Sequence, residues 1–262
     1  MRVGVAGKGG SGKTTIAATM ARHLARSGFS VNALDGDPNP NLAIAVGVPP
    51  DEADRFRRVP PEEMEERPNG DGASMHFRQP FEKIVSEYGA VGPDGVRVLT
   101  MTGLLGAGKG CICGQHSTVR GVVAGLGEER PDDVTILDTE ASLEHLSRGT
   151  VRHVESLVVV VEPYYRAMET MKRTVPLARE LGIPQIWAIA NKVRSAEDSA
   201  AIRDYCERLD IELLATVPFD DAVVVADRNR RSLIDHDPTA AATVAIMGAA
   251  DRLGGHRSPV GA

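Results

Sequence analysis

The stretch Gly7-Lys8-Gly9-Gly10-Ser11-Gly12-Lys13-Thr14-Thr15 constrains this chain more than any other. It follows residues 2–6, a short apolar run expected to form a buried strand, and it opens residues 16–25, whose apolar spacing is helical. Strand, glycine-rich turn and helix together make a G-x-x-x-x-G-K-[ST] match a phosphate-binding loop. Glycines let the backbone curl so that successive N–H groups of Gly9, Gly10, Ser11 and Gly12 face one phosphate chain. The helix N-terminus, at Lys13, Thr14 and Thr15, adds its partial positive charge. Lys13 can then reach the β- and γ-phosphates, and the Thr14 hydroxyl can ligate Mg²⁺. Lys8 is a second lysine within the loop. Gly7, Gly9 and Gly12 also spell G-x-G-x-x-G, with Asp35 about 20 residues on, as in a dinucleotide site. Such a site holds its pyrophosphate on backbone N–H groups and has no use for Lys13-Thr14-Thr15. The loop reads as a mononucleotide cradle.

Further strands are expected at residues 30–34, 96–101, 134–138, 157–161, 185–190 and 213–217. Helical patterns fall at 13–27, 117–127, 166–181, 196–209 and 239–253. This alternation predicts an α/β fold, a mostly parallel central sheet with helices on both faces. Ligands of such sheets bind beyond the carboxyl ends of the strands. Residues 49–95, rich in proline, charge and glycine, are expected to be an irregular excursion with short helices, partly mobile, within one domain spanning residues 1–254. Residues 255–262 are expected to form a disordered tail.

Composition excludes several classes. A net charge of −6 and only 4% aromatic residues argue against a nucleic-acid surface. No apolar stretch approaches the roughly 20 residues needed to span a bilayer. The first strand begins at once, leaving no room for a signal peptide. Three cysteines, two of them nearly adjacent, make no disulfide framework and point to the reducing cytoplasm.

The remaining candidates fall at predicted strand ends. Asp35-Gly36-Asp37-Pro38 follows the second strand, where the two acidic residues, facing the phosphate loop, can hold Mg²⁺ through water and orient an attacking water. Asp138 ends an apolar strand in the manner of a Walker B aspartate serving the Mg²⁺ shell. Asn191, before Lys192, can read an adenine edge with its amide, although a turn asparagine would look the same. Pro218-Phe219-Asp220 follows the last strand and carries less information. Cys111-Ile112-Cys113 lies among glycines in Gly106–Gly114. Paired thiolates are soft ligands for Zn²⁺, Ni²⁺, Cu⁺ or an iron–sulfur cluster. One C-x-C supplies two ligands where a closed tetrahedral site needs four. A second copy across a two-fold axis completes the set; His116, three residues on, offers an internal alternative. Cys206, in a helical pattern, is expected to be a packing residue.

The doubled-lysine loop, Lys8 through Thr15, resembles the deviant Walker A motif of the MinD/ParA/nitrogenase iron protein superfamily. Within it, Asp35-Gly36-Asp37-Pro38, the Cys111-x-Cys113 loop and Glu144-His145-Leu146-Ser147-Arg148-Gly149-Thr150 resemble the carbon monoxide dehydrogenase maturation ATPases. The likeness runs from Met1 to about Leu253. It implies a single-domain P-loop ATPase that hydrolyses ATP to ADP with Mg²⁺, dimerises on ATP and helps place nickel in a carbon monoxide dehydrogenase-type client. Lys8 would reach the partner subunit's nucleotide, Lys13 would bind phosphate and Asp37 would orient the hydrolytic water. Thr14, Asp35 and Asp138 would serve Mg²⁺, and Asn191 with the backbone at Pro218 would contact adenine. Cys111 and Cys113 would hold an intersubunit Zn²⁺ or Ni²⁺. The alternatives are an iron–sulfur reductase with a [4Fe–4S] cluster on four shared thiolates, or a partitioning or positioning ATPase. The first lacks the family's second cluster cysteine after the Walker B strand. The second would want a basic surface or an amphipathic membrane helix. One departure stands out: Ser142 occupies the place of the glycine that senses the γ-phosphate. The serine N–H can still donate, but its Cβ restricts that backbone swing, so slow hydrolysis or altered dimer switching is expected; ATP turnover and ATP-dependent dimerisation both unchanged in Ser142→Gly would refute it.

Overall fold

A computed structural model describes residues 1–69, 72–102, 113–141, 146 and 149–255. Its centre is an 8-stranded sheet in the order β10-β9-β8-β1-β7-β2-β6-β5. The strands are β1 (Arg2–Gly7), β2 (Val31–Gly36), β5 (Gly89–Val91), β6 (Arg97–Thr100), β7 (Val134–Thr139), β8 (Ser156–Val161), β9 (Gln185–Val193) and β10 (Glu212–Pro218). All pair in parallel except edge strand β5, which runs antiparallel to β6.

Strands in such a sheet are buried on both faces, which is why β8 reads as an unbroken run of valines after Leu157. Val158 and Val160 pack into one core with Ile16, Met20 and Leu24 of α1 (Lys13–Arg26) and Ile246 and Leu253 of α10 (Ala241–Gly254). Leu157, Val159 and Val161 face the other core. There they meet Val119, Val122 and Leu126 of α5 (Cys113–Glu129), Met171 and Val175 of α6 (Tyr165–Glu180), and Ile202 of α7 (Ala196–Arg208). Each fully buried side chain of this size contributes about 1.5–3 kcal/mol. Cys206 packs in that second core, and burial pushes its thiol up to about 11. It is an inert packing residue, as expected.

All seven strands expected from the sequence are present. The excursion at 49–95 holds more order than short helices alone. Besides α2 (Leu42–Val46) before it and α3 (Pro50–Ala53) and α4 (Phe81–Tyr88) within it, an antiparallel hairpin, β3 (Met64–Asn69) with β4 (Gly72–Phe77), forms a second sheet. The hairpin lies on α5, and Met75 fits where Gly121 and Gly125 present bare backbone. A Cβ at Gly121 would fall 2.3 Å from the Met75 Cβ, and one at Gly125 would fall 2.4 Å from its carbonyl oxygen. The pattern escaped a sequence reading because Glu65-Glu66-Arg67-Pro68 has neither the alternation nor the β-propensity of a strand. The expected tail lies almost wholly outside the described residues. Among the described residues, no helix is long and apolar enough to cross a membrane.

A charged residue is built into the middle of α1. Arg22, 1% exposed, donates to Asp94 at 2.6 Å, to both Asp235 oxygens at 2.7 and 2.8 Å, and to the Val46 carbonyl at 2.6 Å. Arg26 bonds the same two carboxylates. The network ties α1 to α2, to the turn at Pro93–Gly95 and to α9 (Leu233–His236). Burial raises the Asp94 carboxyl, but the hydrogen bonds and charges of Arg22 and Arg26 outweigh it and hold the group below the usual carboxylate range. A carboxyl depressed on folding stabilises the fold above its unfolded value, about pH 4, and that stability is lost as pH falls through the folded value. Breaking a fully buried pair costs ~3–5 kcal/mol. The Asp94 and Asp235 side chains are 27% and 32% exposed and can recover water, so Arg22→Ala should cost about 2–3 kcal/mol in urea unfolding at neutral pH. The difference from wild type should shrink below about pH 4; an undiminished difference there would assign the loss to packing instead.

Candidate functional site

The phosphate loop bridges β1 and α1 at the carboxyl edge of the sheet, and its glycines are needed where its backbone meets the neighbouring strands most closely. Gly7 has φ +149°, and a Cβ there would lie 2.4 Å from the Val160 carbonyl of neighbouring β8. Gly12 has φ +95° and would place a Cβ 2.4 Å from Asn191 Nδ2. Gly12 also caps α1 in the left-handed conformation. No side chain hydrogen-bonds the cap, and the first turn carries no acidic residue. The first N–H groups of a 14-residue helix are thus left for an anion. Lys13 is 6% exposed at that N-terminus, whereas Gly9 and Gly10 are exposed and Lys8 is half-buried. The Ser11 hydroxyl is buried with no hydrogen-bond partner among the described residues.

Two carboxylates close the floor. Register pairs Asp35 of β2 with Asp138 of β7, and Asp138 with Val5 of β1, so both lie beside the loop. Thr14 Oγ1 donates to Asp138 Oδ2 at 2.6 Å, while Asp138 Oδ1 is buried and has no partner among the described residues. Asp35 is differently engaged. Its Oδ1 accepts from the Asp37 N–H at 3.0 Å, and its Oδ2 accepts from the N–H groups of Asn41 and Leu42, both at 2.9 Å. Asp35 therefore folds the loop that presents Asp37, whose own Oδ1 accepts from the Asn39 N–H at 2.9 Å. Burial, then the charge of Asp138, pushes the Asp35 carboxyl well above its ordinary range. Burial raises Asp138 too, partly opposed by the Thr14 hydroxyl and Lys13. Two buried carboxylates side by side form a site short of positive charge. An orphaned carboxylate oxygen next to a threonine hydroxyl fits the hard, oxygen-seeking Mg²⁺; Thr14 and Asp138 are the residues that would hold it.

Beside the loop a small, mainly apolar cleft of about 70 Å³ is walled by Val217, Pro218, Phe219 and Val223, with Asn191 and Gly12 at its base. Asn191 Nδ2 donates to the Ser11 carbonyl at 2.6 Å, which leaves its amide oxygen as an acceptor. A wider cleft of about 600 Å³ adjoins it, sharing Thr15 and Val223 and running past Asn41 and Ile44 to Arg230 and Arg231.

The structure thus brings Lys13, Thr14, Asp35, Asp138, Asn191 and Pro218 to one edge of the sheet. Cys111 and Ser142 lie outside the described residues; Cys113 opens α5, and its side chain is not among those described. His116, on the first turn of α5, meets Thr150 Oγ1 through Nδ1 at 3.1 Å and lies 3.7 Å from a Glu140 oxygen through Nε2. It is thereby tied to the segment after β7. Among the described residues, no group of three or more His, Cys, Asp or Glu side chains could hold a metal. Sequence reasoning missed the engagement of Asp35 by three backbone N–H groups and the ion pair between Lys192 and Glu162, a lone acid directly after the apolar strand β8 that could have been noticed.

The fold and this site define a P-loop nucleotide-binding domain. The model of the CobQ/CobB/MinD/ParA nucleotide binding domain matches residues 3–234, and the chain belongs to that family. It is 37% identical over 245 residues, 91% of each chain, to the carbon monoxide dehydrogenase accessory protein CooC of Rhodospirillum rubrum. It is 34% identical to an uncharacterized ATP-binding protein of Methanocaldococcus jannaschii, covering 87% of this chain and 88% of the other. Among solved structures, the MinD cell division protein of Aquifex aeolicus superposes with a TM-score of 0.70 at 19% identity, covering 100% of this chain and 99% of that one. The septum site-determining protein MinD of Pyrococcus horikoshii, complexed with Mg-ADP, superposes with a TM-score of 0.64 at 18% identity over 96% and 95%. These two show the shared fold.

Gly12→Ala should weaken Mg-ATP binding at least tenfold by titration calorimetry, since both its φ and the contact with Asn191 forbid a Cβ. Unchanged affinity would mean that the loop does not hold the phosphates in this shape.

Proposed function

We propose that this protein is an ATP-hydrolysing, ATP-dependently dimerising maturation factor that helps deliver nickel to a carbon monoxide dehydrogenase-type enzyme. The nucleotide part rests above all on the Thr14–Asp138 hydrogen bond, with the second Asp138 oxygen buried and without a partner among the described residues, beside the uncapped start of α1. Bound Mg²⁺ would neutralise charge on the β- and γ-phosphate oxygens. Lys13 and the first-turn N–H groups of α1 bind the phosphate chain, and Asp37, held out by the Asp35 turn, orients the attacking water. Pro218, Phe219 and Val223 enclose the adenine ring, and the Asn191 amide oxygen accepts from its exocyclic amine.

The metal part is supported by the 37% identity to a carbon monoxide dehydrogenase accessory protein along nearly the whole of both chains and by the Cys111-x-Cys113 loop. Two thiolates from each subunit complete a tetrahedral set for Zn²⁺ or Ni²⁺. Such a site lies on the subunit interface, as does Lys8 when it reaches the partner subunit's nucleotide. ATP binding and metal release are then linked through closing and opening of one dimer. The compartment consistent with free thiols is the cytoplasm.

Lys8→Ala should retain nucleotide binding but lose ATP-dependent dimerisation in size-exclusion chromatography with light scattering; a normal ATP dimer would refute the clasp. The Cys111→Ser/Cys113→Ser double variant should purify without the metal that wild type carries, by elemental analysis. Equal metal in both would refute the thiolate site. A brown wild-type protein with charge-transfer absorbance would instead favour the iron–sulfur reading.

A further inference from the structure

The end of β9 is distorted in a way that the binding of adenine does not require. Between Ala190 and Val193 the strand takes one residue more than β10 takes between Thr216 and Pro218. Lys192 lies in this irregularity at φ +58°, a left-handed conformation that lysine seldom adopts. In a regular strand Asn191 and Lys192 would point to opposite faces of the sheet. The extra residue re-aims them, and both reach the same loop. Asn191 Nδ2 donates to the Ser11 carbonyl at 2.6 Å and Lys192 Nζ donates to the Gly10 carbonyl at 2.5 Å.

Lys192 is itself held from behind. Glu162, directly after β8 and 3% exposed, lies with Oε1 2.8 Å from Lys192 Nζ. The Tyr164 hydroxyl donates to the same Glu162 oxygen at 2.5 Å. A buried carboxylate is expensive without such partners, so the three groups fix one another. The consequence for the loop follows from the planar trans peptide, in which C=O and N–H point opposite ways. Asn191 draws the Ser11 carbonyl toward β9 and so turns the Gly12 N–H away from it, while Lys192 holds the Gly10 carbonyl and so fixes the opposed Ser11 N–H, which closes the turn on the Lys8 carbonyl at 3.1 Å.

We infer that Lys192, anchored by Glu162 and Tyr164, is a positioning residue that sets the backbone of the phosphate loop before a nucleotide arrives. Preorganised donors bind an anion more tightly because less ordering remains to be done on binding. Glu162 acts only through Lys192. This inference rests on the nucleotide reading of the site and adds to it a part of the chain that no phosphate contact identifies.

The test is Mg-ATP and Mg-ADP affinity by titration calorimetry on the full chain, with thermal unfolding of each nucleotide-free variant alongside. Lys192→Ala and Glu162→Ala should each weaken both nucleotides on the order of tenfold, as loss of a charge-assisted hydrogen bond does. The double variant should lose much less than the product of the two, since the residues act as one unit. Lys192→Arg, which keeps a charged donor, should recover most of the loss. If Glu162→Ala does not fold, Glu162→Gln keeps an acceptor without the charge and should show a smaller loss of the same kind. Weakened binding in Lys192→Ala with wild-type binding in the glutamate variant would overturn the inference, because Lys192 would then touch the nucleotide directly. Wild-type affinity in both variants, with a lowered melting temperature, would overturn it too. A wild-type chain that binds no nucleotide would instead refute the reading on which it rests.

Discussion

The site depends on close approach of the loop backbone to the neighbouring strands at the edge of the sheet. Gly7 lies against the Val160 carbonyl of β8 and Gly12 against the Asn191 side-chain amide of β9, with no room for a Cβ at either place. That contact draws the end of β1, the turn and the start of α1 into one rigid corner between β8 and β9. Once the corner is set, the left-handed Gly12 leaves the first turn of α1 uncapped and free of acidic side chains. An anion site then needs no further construction. Alanine at either glycine would lose more than conformational freedom, because the neighbouring strands stand where its methyl group would go.

Charge completes what packing begins. Asp35 and Asp138 come together because β2 and β7 are neighbours in register, yet they do different work. Asp35 spends both oxygens on backbone N–H groups and so shapes the loop before α2. Asp138 keeps one oxygen in reserve. The pair is costly to bury in the charged form, and a divalent cation with the phosphates it accompanies removes that cost. On the proposed function, the cost of burying this pair and the fit for a metal–nucleotide would thus have one origin.

Much of this was legible in the residues themselves. Loop motif, strand alternation and the aspartates at strand ends are local signals, and the sheet places them together because parallel strands align their carboxyl ends. The hairpin at β3 and β4 was not legible, since its stability comes from the bare face that Gly121 and Gly125 offer on α5 rather than from its own charged strand. Asn191 shows the same limit at the site. Its place after a strand suggested an adenine contact, but the hydrogen bond to Ser11 depends on a bulge that no periodicity announces. Glu162 was overlooked for a related reason. A single acid after five apolar residues resembles an ordinary strand end until Lys192 is seen beside it.

The arrangement of α5 is where the proposed metal role would meet the nucleotide site. The helix begins at Cys113, is seated under the β3–β4 hairpin, and is tied through His116 to Thr150 and, across a 3.7 Å approach, to Glu140 just after the Asp138 strand. On the proposed function, a change at the γ-phosphate would have a short physical route to the start of this helix. The most direct test of a shared, nucleotide-governed metal is stoichiometry: elemental analysis and light scattering on one Zn²⁺-loaded sample of the wild-type chain. One metal ion per two chains, in a species of dimer mass, is the predicted result. One metal ion per chain in a monomer would contradict the account.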